Sequence, residues 1–287
     1  MLNTEQFSIL HPSLIEEGRT LVLSLNHGKA NEMGSNTLHA WTEVTKALHK
    51  GEIRSVITTS QRLSRSGKPI FIAGADVTER TEWTNDKVKS HVRWQRETLL
   101  ALRKAPVFHC ALVHGVALGW GTEFLLCCDY RVGTPTARFG LPETSLGILP
   151  GAGGTTELWM EIGIAHAMRL GMTGEQIDSN EASRIGLIQE TALDYESGYN
   201  RLLELCRLAN RRSPSALSAF KSALLTARGL TANERTALEA SAYEHCVDSG
   251  DAAVGRAHFK DIIKGQTPPW SPFQSFSTSS TDDTSCG

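Results

Sequence analysis

The first half of the chain consists of short apolar segments separated by longer segments with apolar residues at helical spacing. The segment at 20–25, TLVLSL, alternates apolar and polar side chains, a two-residue period that is typical of a β-strand. Helical spacing of three or four residues follows from Ser35 and again between Asn85 and Lys104. The pattern predicts strands at 20–25, 55–60, 70–76, 107–115 and 130–134, and helices from Ser35, at 85–104 and at 122–128.

The pattern changes near Thr155, after which the chain is almost wholly helical, with segments at 155–163, 165–172, 179–186, 195–212 and 214–227. Alternating strands and helices followed by a run of helices indicate an α/β core with a helical C-terminal extension. We expect residues 1–195 to form the core with the functional site and residues 196–266 to form the helical region. Residues 267–287 are rich in Pro, Ser and Thr, so we expect them to be mostly disordered.

Composition narrows the functional class only slightly. Of the 287 residues, 40% are hydrophobic and 21% are charged, and the net charge of −2 does not point to nucleic acid or an anionic membrane. No apolar run approaches the ~20 residues that a membrane span needs, and no targeting pattern is present, so we expect a soluble, cytoplasmic protein. The six cysteines include no C-x-x-C pair, and we expect them to be small core residues rather than metal ligands.

Two glutamates lie in otherwise apolar, glycine-punctuated segments. Glu123 begins the run EFLLCC, and Glu143 follows the residues FGLP. Taken singly, Glu123 is also explained as a first-turn residue that interacts with the helix dipole, and Glu143 as a surface carboxylate. Ionised carboxylates are rarely buried without a partner, however, and glycine-rich turns beside both residues let a ligand approach the backbone closely. The combination favours a ligand site that contains both carboxylates.

The segment at 72–76, IAGAD, is a third candidate element of this site. Small residues at the end of a strand leave backbone N–H groups open, and such groups form oxyanion holes. The alternative is an ordinary tight turn in which Asp76 caps the following helix. The residues alone do not decide between the two.

Three segments together resemble the crotonase, or enoyl-CoA hydratase/isomerase, superfamily. They are FIAGADVTE from Phe71, HGVALGWGTEFLLCCDYRV from His114 and FGLPETSLGILPGAGGTTEL from Phe139, and the resemblance extends over roughly residues 8–266. It implies a crotonase-like spiral of ββα repeats whose C-terminal helices pack subunits into trimers. We therefore expect a homotrimer or a homohexamer built from two trimers.

The resemblance also implies roles for four residues. Ala75 and Trp120 match the positions whose backbone N–H groups hold the thioester oxygen, and Glu123 and Glu143 match the two acids of hydratases. In that scheme Glu123 activates one water for attack on C3, and Glu143 delivers a proton to C2 of a trans-2-enoyl thioester. The family reaction uses no metal and no redox cofactor, and coenzyme A enters as part of the substrate.

Further positions match residues that contact the coenzyme A thioester in the family. Lys29 lies in the loop after the first strand, where a basic residue is often near the nucleotide phosphates, and Lys260 would act from the C-terminal helix across a subunit interface. For both lysines a solvated surface charge is an equally good explanation. The full set of substrate-binding or coenzyme A-binding residues implied by the resemblance is Lys29, Ala73, Gly74, Asp76, Val77, Gly121 and Lys260.

Two departures from the family pattern leave the reaction open. Trp120 stands where most relatives have glycine, and its ring is expected to narrow or redirect the acyl pocket; His114 replaces an Asn or Asp and is expected to be a supporting hydrogen-bonding residue. The alternatives are a Δ3-Δ2-enoyl-CoA isomerase, a specialised crotonase acting on an acyl carrier protein thioester, and a scaffold or RNA-binding protein that has lost catalysis. The presence of both acids favours a hydratase, because an isomerase at this site commonly keeps only the second.

Overall fold

The computed structural model describes residues 2–276 of the chain, in which eleven strands form two sheets. The six-stranded sheet has the order β1 (Pro12–Ile15), β2 (Thr20–Ser24), β3 (Ser55–Thr59), β6 (Phe108–Val113), β8 (Tyr130–Gly133) and β11 (Glu190–Thr191). The five-stranded sheet has the order β10 (Ile177–Asp178), β9 (Arg138–Gly140), β7 (Val116–Leu118), β5 (Pro69–Ile72) and β4 (Arg62–Leu63).

Helices follow the strands and dominate the C-terminal third. They are α1 (Ser35–Leu48), α2 (Asn85–Arg103), α3 (Trp120–Leu125), α4 (Leu158–Ile162), α5 (Ile164–Thr173), α6 (Ser179–Arg184), α7 (Tyr195–Asn210), α8 (Pro214–Thr226), α9 (Ala232–Asp248), α10 (Asp251–Ala257) and α11 (Phe259–Ile263). Short 3-10 helices span Glu5–Leu10, Thr78–Arg80 and Pro142–Leu146. Side-chain oxygens accept first-turn N–H groups and so fix the starts of α2, α6, α7, α8 and α9, at Thr84, Asp178, Asp194, Ser213 and Thr231.

The chain winds as a spiral in which each turn gives one strand to each sheet and then a helix. The first turn is β3, β5 and α2, the second is β6, β7 and α3, and the third begins with β8 and β9. Successive turns pair in parallel, β3 with β6 and β8 in one sheet and β5 with β7 and β9 in the other. The expected ββα spiral is confirmed, and it brings the ends of β5 and β7 side by side.

Helix α3 lies inside the core, which explains why its sequence is apolar on all sides. Phe124 has no exposed surface and packs on Trp41 at a ring-centroid distance of 4.7 Å. A second cluster, between the outer face of the larger sheet and α7, includes Cys110 and Cys206. A strand that is covered on both faces needs apolar side chains on both faces. The two-residue period of apolar side chains seen at 20–25 is therefore weaker in the later strands.

Helix α1 begins at Ser35, as predicted; Gly34 is its N-cap, and the Ser35 N–H donates to Glu79 at 2.8 Å. Other boundaries differ from the predicted ones for identifiable reasons. The helix predicted from Thr155 begins at Leu158, because the backbone before it forms turns. The short strands β7, β9, β10 and β11 were not predicted, since two or three residues are too few to show a period.

The first part of the C-terminal tail packs against the helical region. Residues 267–276 form no helix or strand, but the Trp270 indole donates to the Arg211 carbonyl at 2.9 Å and the Ser271 N–H donates to Asp251 at 2.7 Å. The remainder of the tail that was expected to be disordered, 277–287, lies outside the described residues. Across residues 2–276, no helix combines the length and apolar character needed to cross a membrane.

The start of β7 gives a test of this close packing. Gly115 has φ +97°, and a Cβ there would lie 2.1 Å from the carbonyl carbon of Pro69. We expect Gly115→Ala to destabilise the fold by ~1–3 kcal/mol more than a left-handed alanine costs by itself, because backbone atoms must move. Denaturant unfolding measures the difference. Gly67→Ala is the matched control, since Gly67 has φ +77° with no atom within 4 Å of its Cβ position; equal losses in the two variants would contradict the prediction.

Candidate active site

The ends of β5 and β7 open into a cavity that contains all four residues assigned to the reaction by the resemblance. The cavity has a volume of about 570 Å³, and its wall includes Ala75, Trp120, Glu123 and Glu143. Helix α2 and the loop at 147–151 form the opposite wall. Residues far apart in the sequence therefore surround one space large enough for a small acyl group.

Ala75 presents an open backbone N–H at the end of β5. Met33 donates to the Gly74 carbonyl at 3.0 Å, and Asp76 donates back to the Met33 carbonyl at 2.9 Å. In this parallel bridge, Ala75 lies between the two residues that bond to Met33, so the Ala75 N–H points away from Met33. Within residues 2–276 the Ala75 N–H donates no hydrogen bond, which is the condition that an oxyanion donor must meet.

Trp120 presents the second open N–H, at the first position of α3. Gly119 turns the chain into this helix with φ +54° and ψ −121°, a conformation that requires glycine. A first-turn N–H has no intrahelical acceptor, and that of Trp120 donates to no other described residue. The indole ring is only 2% exposed and stacks on Phe124 at 5.5 Å, so it is held in the core beside the cavity.

Glu123 is buried and held by two backbone amides. Its side chain lies on the first turn of α3 and is 3% exposed, and its Oε1 accepts from the N–H groups of Ala152 at 2.7 Å and Gly154 at 2.9 Å. Burial raises the pKa of Glu123, while these two hydrogen bonds and the charge of Arg96 oppose that rise. Its Oε2 accepts no bond from the described residues, which leaves this oxygen for a ligand or water.

The loop that carries these amides is itself positioned by specific contacts. Arg96 on α2 donates from Nε to the Gly151 carbonyl at 2.9 Å, and Thr155 donates to the Pro150 carbonyl at 2.7 Å. A Cβ at Gly154 would lie 2.6 Å from Cβ of Pro150 and 3.2 Å from Oε1 of Glu123. Glycine at 154 therefore allows the close approach of amide and carboxylate.

Glu143 differs from Glu123 in its surroundings. It lies on the 3-10 helix Pro142–Leu146 that follows β9, and its buried Oε2 has no hydrogen-bond partner in the described part of the chain. Burial first, and the charge of Glu123 second, raise the pKa of Glu143 to about 7. Near neutral pH, Glu143 therefore exchanges a proton readily, while backbone donors favour the ionised form of Glu123.

The loop that carries Lys29 lies beside the turn at 73–76. The Ala73 N–H donates to the Ala30 carbonyl at 3.1 Å. The hydrogen bond from the Thr78 hydroxyl lowers the pKa of Asp76, and the charge of Lys29 adds a smaller effect in the same direction. Lys29 is exposed. The structure thus brings Lys29, Ala73 and Gly74 together, next to Ala75.

Other residues predicted to contact the substrate make structural contacts or do not line the cavity, and their contact with a substrate stays a prediction. Asp76 accepts from the Thr78 N–H at 3.0 Å and so caps the short 3-10 helix, as the alternative explanation had it. Gly121 is buried, and a Cβ there would lie 2.3 Å from the Ile72 carbonyl, which is a packing role. Val77 and Lys260 are exposed and do not line the cavity; a contribution of Lys260 to a neighbouring subunit stays a prediction.

His114 also lies outside the cavity wall. Its Nδ1 lies 3.0 Å from the hydroxyl oxygen of Thr134, and its ring packs edge-on against Tyr195. These contacts join β6 to the end of β8 and to α7. The side chain is therefore a supporting hydrogen-bonding residue, as predicted.

Three groups of the site were missed by the sequence analysis. The amides of Ala152 and Gly154 lie in the run GAGG. Its glycines indicate a tight loop, but the sequence does not show that the two N–H groups point at Glu123. Arg80 and Arg96 line the cavity from the 3-10 helix Thr78–Arg80 and from α2. Both arginines are in polar segments, where the sequence does not distinguish them from surface charges.

Comparisons with known proteins show the family of this chain. The family model described as Enoyl-CoA hydratase/isomerase matches residues 18–270. The chain is 32% identical over 255 residues to mitochondrial methylglutaconyl-CoA hydratase from Rattus norvegicus, covering 86% of this chain and 79% of that one. It is 33% identical over 244 residues to short-chain-enoyl-CoA hydratase from Clostridium acetobutylicum, covering 83% and 90%. The crystal structure of enoyl-CoA hydratase from Bacillus anthracis has a TM-score of 0.81 at 29% identity, covering 91% of this chain and 99% of that one.

The raised pKa of Glu143 predicts a loss of stability with pH. Between the ordinary glutamate range and about pH 7 the folded state binds more protons at Glu143 than the unfolded state, so stability falls as pH rises through this window. Glu143→Gln removes this penalty. At pH 8 we expect a gain of about 1 kcal/mol for this half-buried group, or ~2–4 °C in Tm, and almost none at pH 5.

Thermal unfolding at both pH values measures this effect. The exposed Glu97 on α2 gives the control variant Glu97→Gln, for which we expect no pH-dependent gain. A Tm difference between Glu143→Gln and the unmodified protein that is the same at pH 5 and pH 8 would show that the carboxyl group is not the source.

Proposed function

The chain belongs to the enoyl-CoA hydratase/isomerase family, and from this premise we propose that it hydrates the C2=C3 bond of a trans-2-enoyl thioester. The observation that carries the proposal is that the buried Glu123 and the half-buried Glu143 share one cavity with two open backbone N–H groups. A lyase of this type needs one group that takes a proton and one that gives a proton. Glu123 and Glu143 have different surroundings, which act differently on their pKa values and so suit them to these two roles.

The two backbone N–H groups would hold the thioester carbonyl. When water attacks C3, the electron pair of the double bond moves toward the carbonyl oxygen, which acquires enolate character. The amides of Ala75 and Trp120 would donate to this oxygen, and one such preorganised donor contributes ~3–4 kcal/mol to the transition state. Because neither amide donates to a residue of 2–276, no hydrogen bond within this part of the chain has to break when the substrate binds.

Proton transfer is assigned to the two carboxylates. Glu123, whose charged form is favoured by the hydrogen bonds from Ala152 and Gly154, would take a proton from water through its free Oε2 as the water oxygen bonds to C3. Glu143, whose pKa is about 7, would give its proton to C2. The next turnover needs Glu143 protonated again and Glu123 ionised again, which a proton transfer through the next bound water accomplishes.

A coenzyme A carrier, rather than an acyl carrier protein, is the proposed form of the substrate. The family name and the exposed Lys29 beside the turn at 73–76 support this choice. We propose no metal and no redox cofactor for the reaction. We also propose the cytoplasm as its location, although the rat relative is named as mitochondrial.

A trimer, or a hexamer of two trimers, is the proposed assembly. Its support is the exposed apolar surface on the C-terminal helices, where Phe220 and Leu224 on α8 and Tyr243 on α9 are all exposed. An exposed patch of this kind on a globular chain marks an interaction surface.

The two-acid assignment predicts the behaviour of isosteric variants with crotonyl-CoA. We expect the unmodified protein to hydrate this substrate, and Glu123→Gln and Glu143→Gln each to lower kcat by about 100-fold or more, because each removes one proton-transfer step. Loss of the enoyl-thioester absorbance measures the rate. Glu97→Gln on α2 is the control and should leave the rate unchanged. A Glu123→Gln variant that keeps its rate, beside an inactive Glu143→Gln, would support one-acid isomerase chemistry instead.

The protonation states predict the pH profile of hydration. Since Glu143 must be protonated to give its proton to C2, we expect kcat/KM for crotonyl-CoA hydration to fall above about pH 7. Initial rates at low substrate concentration between pH 5.5 and 9 measure this profile. An unchanged inflection in the residual activity of Glu143→Gln would assign the titration to another group.

A further inference from the structure

Arg80 lies in the wall of the active-site cavity, and its side chain makes no hydrogen bond or ion pair with any residue of 2–276. It ends the 3-10 helix Thr78–Arg80 and lines the cavity together with Glu123 and Glu143. Its Nε and Nη2 atoms are buried, and neither makes a hydrogen bond to any residue of 2–276. Buried donors without acceptors are destabilising, and a guanidinium more so than a neutral group. A group that the fold leaves in this state is suited to an anionic ligand.

The carboxylates nearest to Arg80 in the sequence are engaged elsewhere. Asp76 accepts from Thr78 within the short helix, and Glu79 accepts from the N–H and the hydroxyl of Ser35 at the start of α1. No carboxylate of the described chain lies within 4 Å of the Arg80 guanidinium. His91 packs nearby between two tryptophans. It supplies no negative charge to Arg80, and burial lowers its pKa, which favours the neutral imidazole.

The cavity wall carries more positive charge than the binding of an uncharged alkyl chain requires. Lys89, Arg93 and Arg96 on α2 join Arg80 in its wall, against the two carboxylates Glu123 and Glu143. Arg96 is used to hold the Gly151 carbonyl, whereas Arg93 is exposed and makes no ion pair within the described residues. A cleft with an excess of one charge attracts ligands of the opposite charge.

We propose that the acyl group of the substrate carries a second carboxylate at its far end, and that Arg80 binds this carboxylate. The proposal rests on the hydratase function proposed above and names its substrate class. Nε and Nη2 of Arg80 have no acceptor among residues 2–276, and a carboxylate in the cavity would form a charge-assisted pair with this guanidinium once the side chain turns these N–H groups toward the ligand. The phosphates of coenzyme A are the other anions of the substrate, but the pantetheine arm separates them from the thioester, whereas Arg80 shares a wall with the reacting carboxylates.

Binding of unreactive thioesters tests the proposal independently of turnover. Glutaryl-CoA and its neutral monomethyl ester have no C2=C3 bond, so neither can be hydrated, and they differ only at the far end of the acyl group. By calorimetry we expect the unmodified protein to bind glutaryl-CoA about tenfold or more tightly than the ester. Arg80→Gln should abolish this preference and leave the affinity for the ester within about twofold.

Arg93→Gln is the matched control, because it removes the same charge from the same cavity but from an exposed side chain. It should retain most of the preference. Equal affinity of the unmodified protein for acid and ester would overturn the proposal whether or not the variants fold. Equal weakening of both ligands by Arg80→Gln would also overturn it, since Arg80 would then bind the common carrier. A lower Tm with an unchanged preference would make Arg80 a structural residue.

The same samples separate this inference from the hydratase proposal. An Arg80-dependent preference for glutaryl-CoA, in a protein that hydrates neither crotonyl-CoA nor glutaconyl-CoA, would keep the inference and reject the reaction. Hydration of crotonyl-CoA without any preference for the acid would keep the reaction and reject the inference.

Discussion

The hydrogen bonds from Ala152 and Gly154 to Oε1 of Glu123 are the contacts on which the site depends. They connect the first turn of α3 to a loop that lies about thirty residues later in the chain. They supply the partners that a buried carboxylate needs, and they leave its second oxygen free. Without them, Glu123 would be a buried carboxylate with no hydrogen-bond donor, and the loop would lose its connection to α3.

Burial raises the pKa of both glutamates, but only Glu123 has backbone donors that oppose the rise. Glu123 is the more deeply buried, yet two amides and Arg96 favour its charge. Glu143 is less buried but has no donor at Oε2, and the negative Glu123 acts on it, so its pKa rises to about 7. The difference that acid–base chemistry needs therefore comes from backbone geometry, since the two side chains are chemically identical. Because the pKa of Glu143 is raised, its ionisation lowers the stability of the folded state above neutral pH.

The ββα spiral explains how so few short strands build such a site. Parallel pairing of β5 with β7 sets the ends of two consecutive turns next to each other. One end continues into the turn that bears Ala75, and the other continues through Gly119 into α3. Both open N–H groups and Glu123 thus derive from strand ends, while Glu143 comes from the end of β9, the next strand of the same sheet.

The sequence by itself determined the α/β core, the order of the long elements and the two candidate carboxylates, because periodicity and glycine-punctuated motifs are local properties. It did not predict β7 or β9, which are too short to show a period, or that residues 155–157 are not helical. Nor did it show that Asp76 caps a turn, that Gly121 is a packing residue or that Arg80 lines the cavity. Those facts depend on which backbone groups and charges lie opposite one another, and distances between segments far apart in the chain are set only by the tertiary packing.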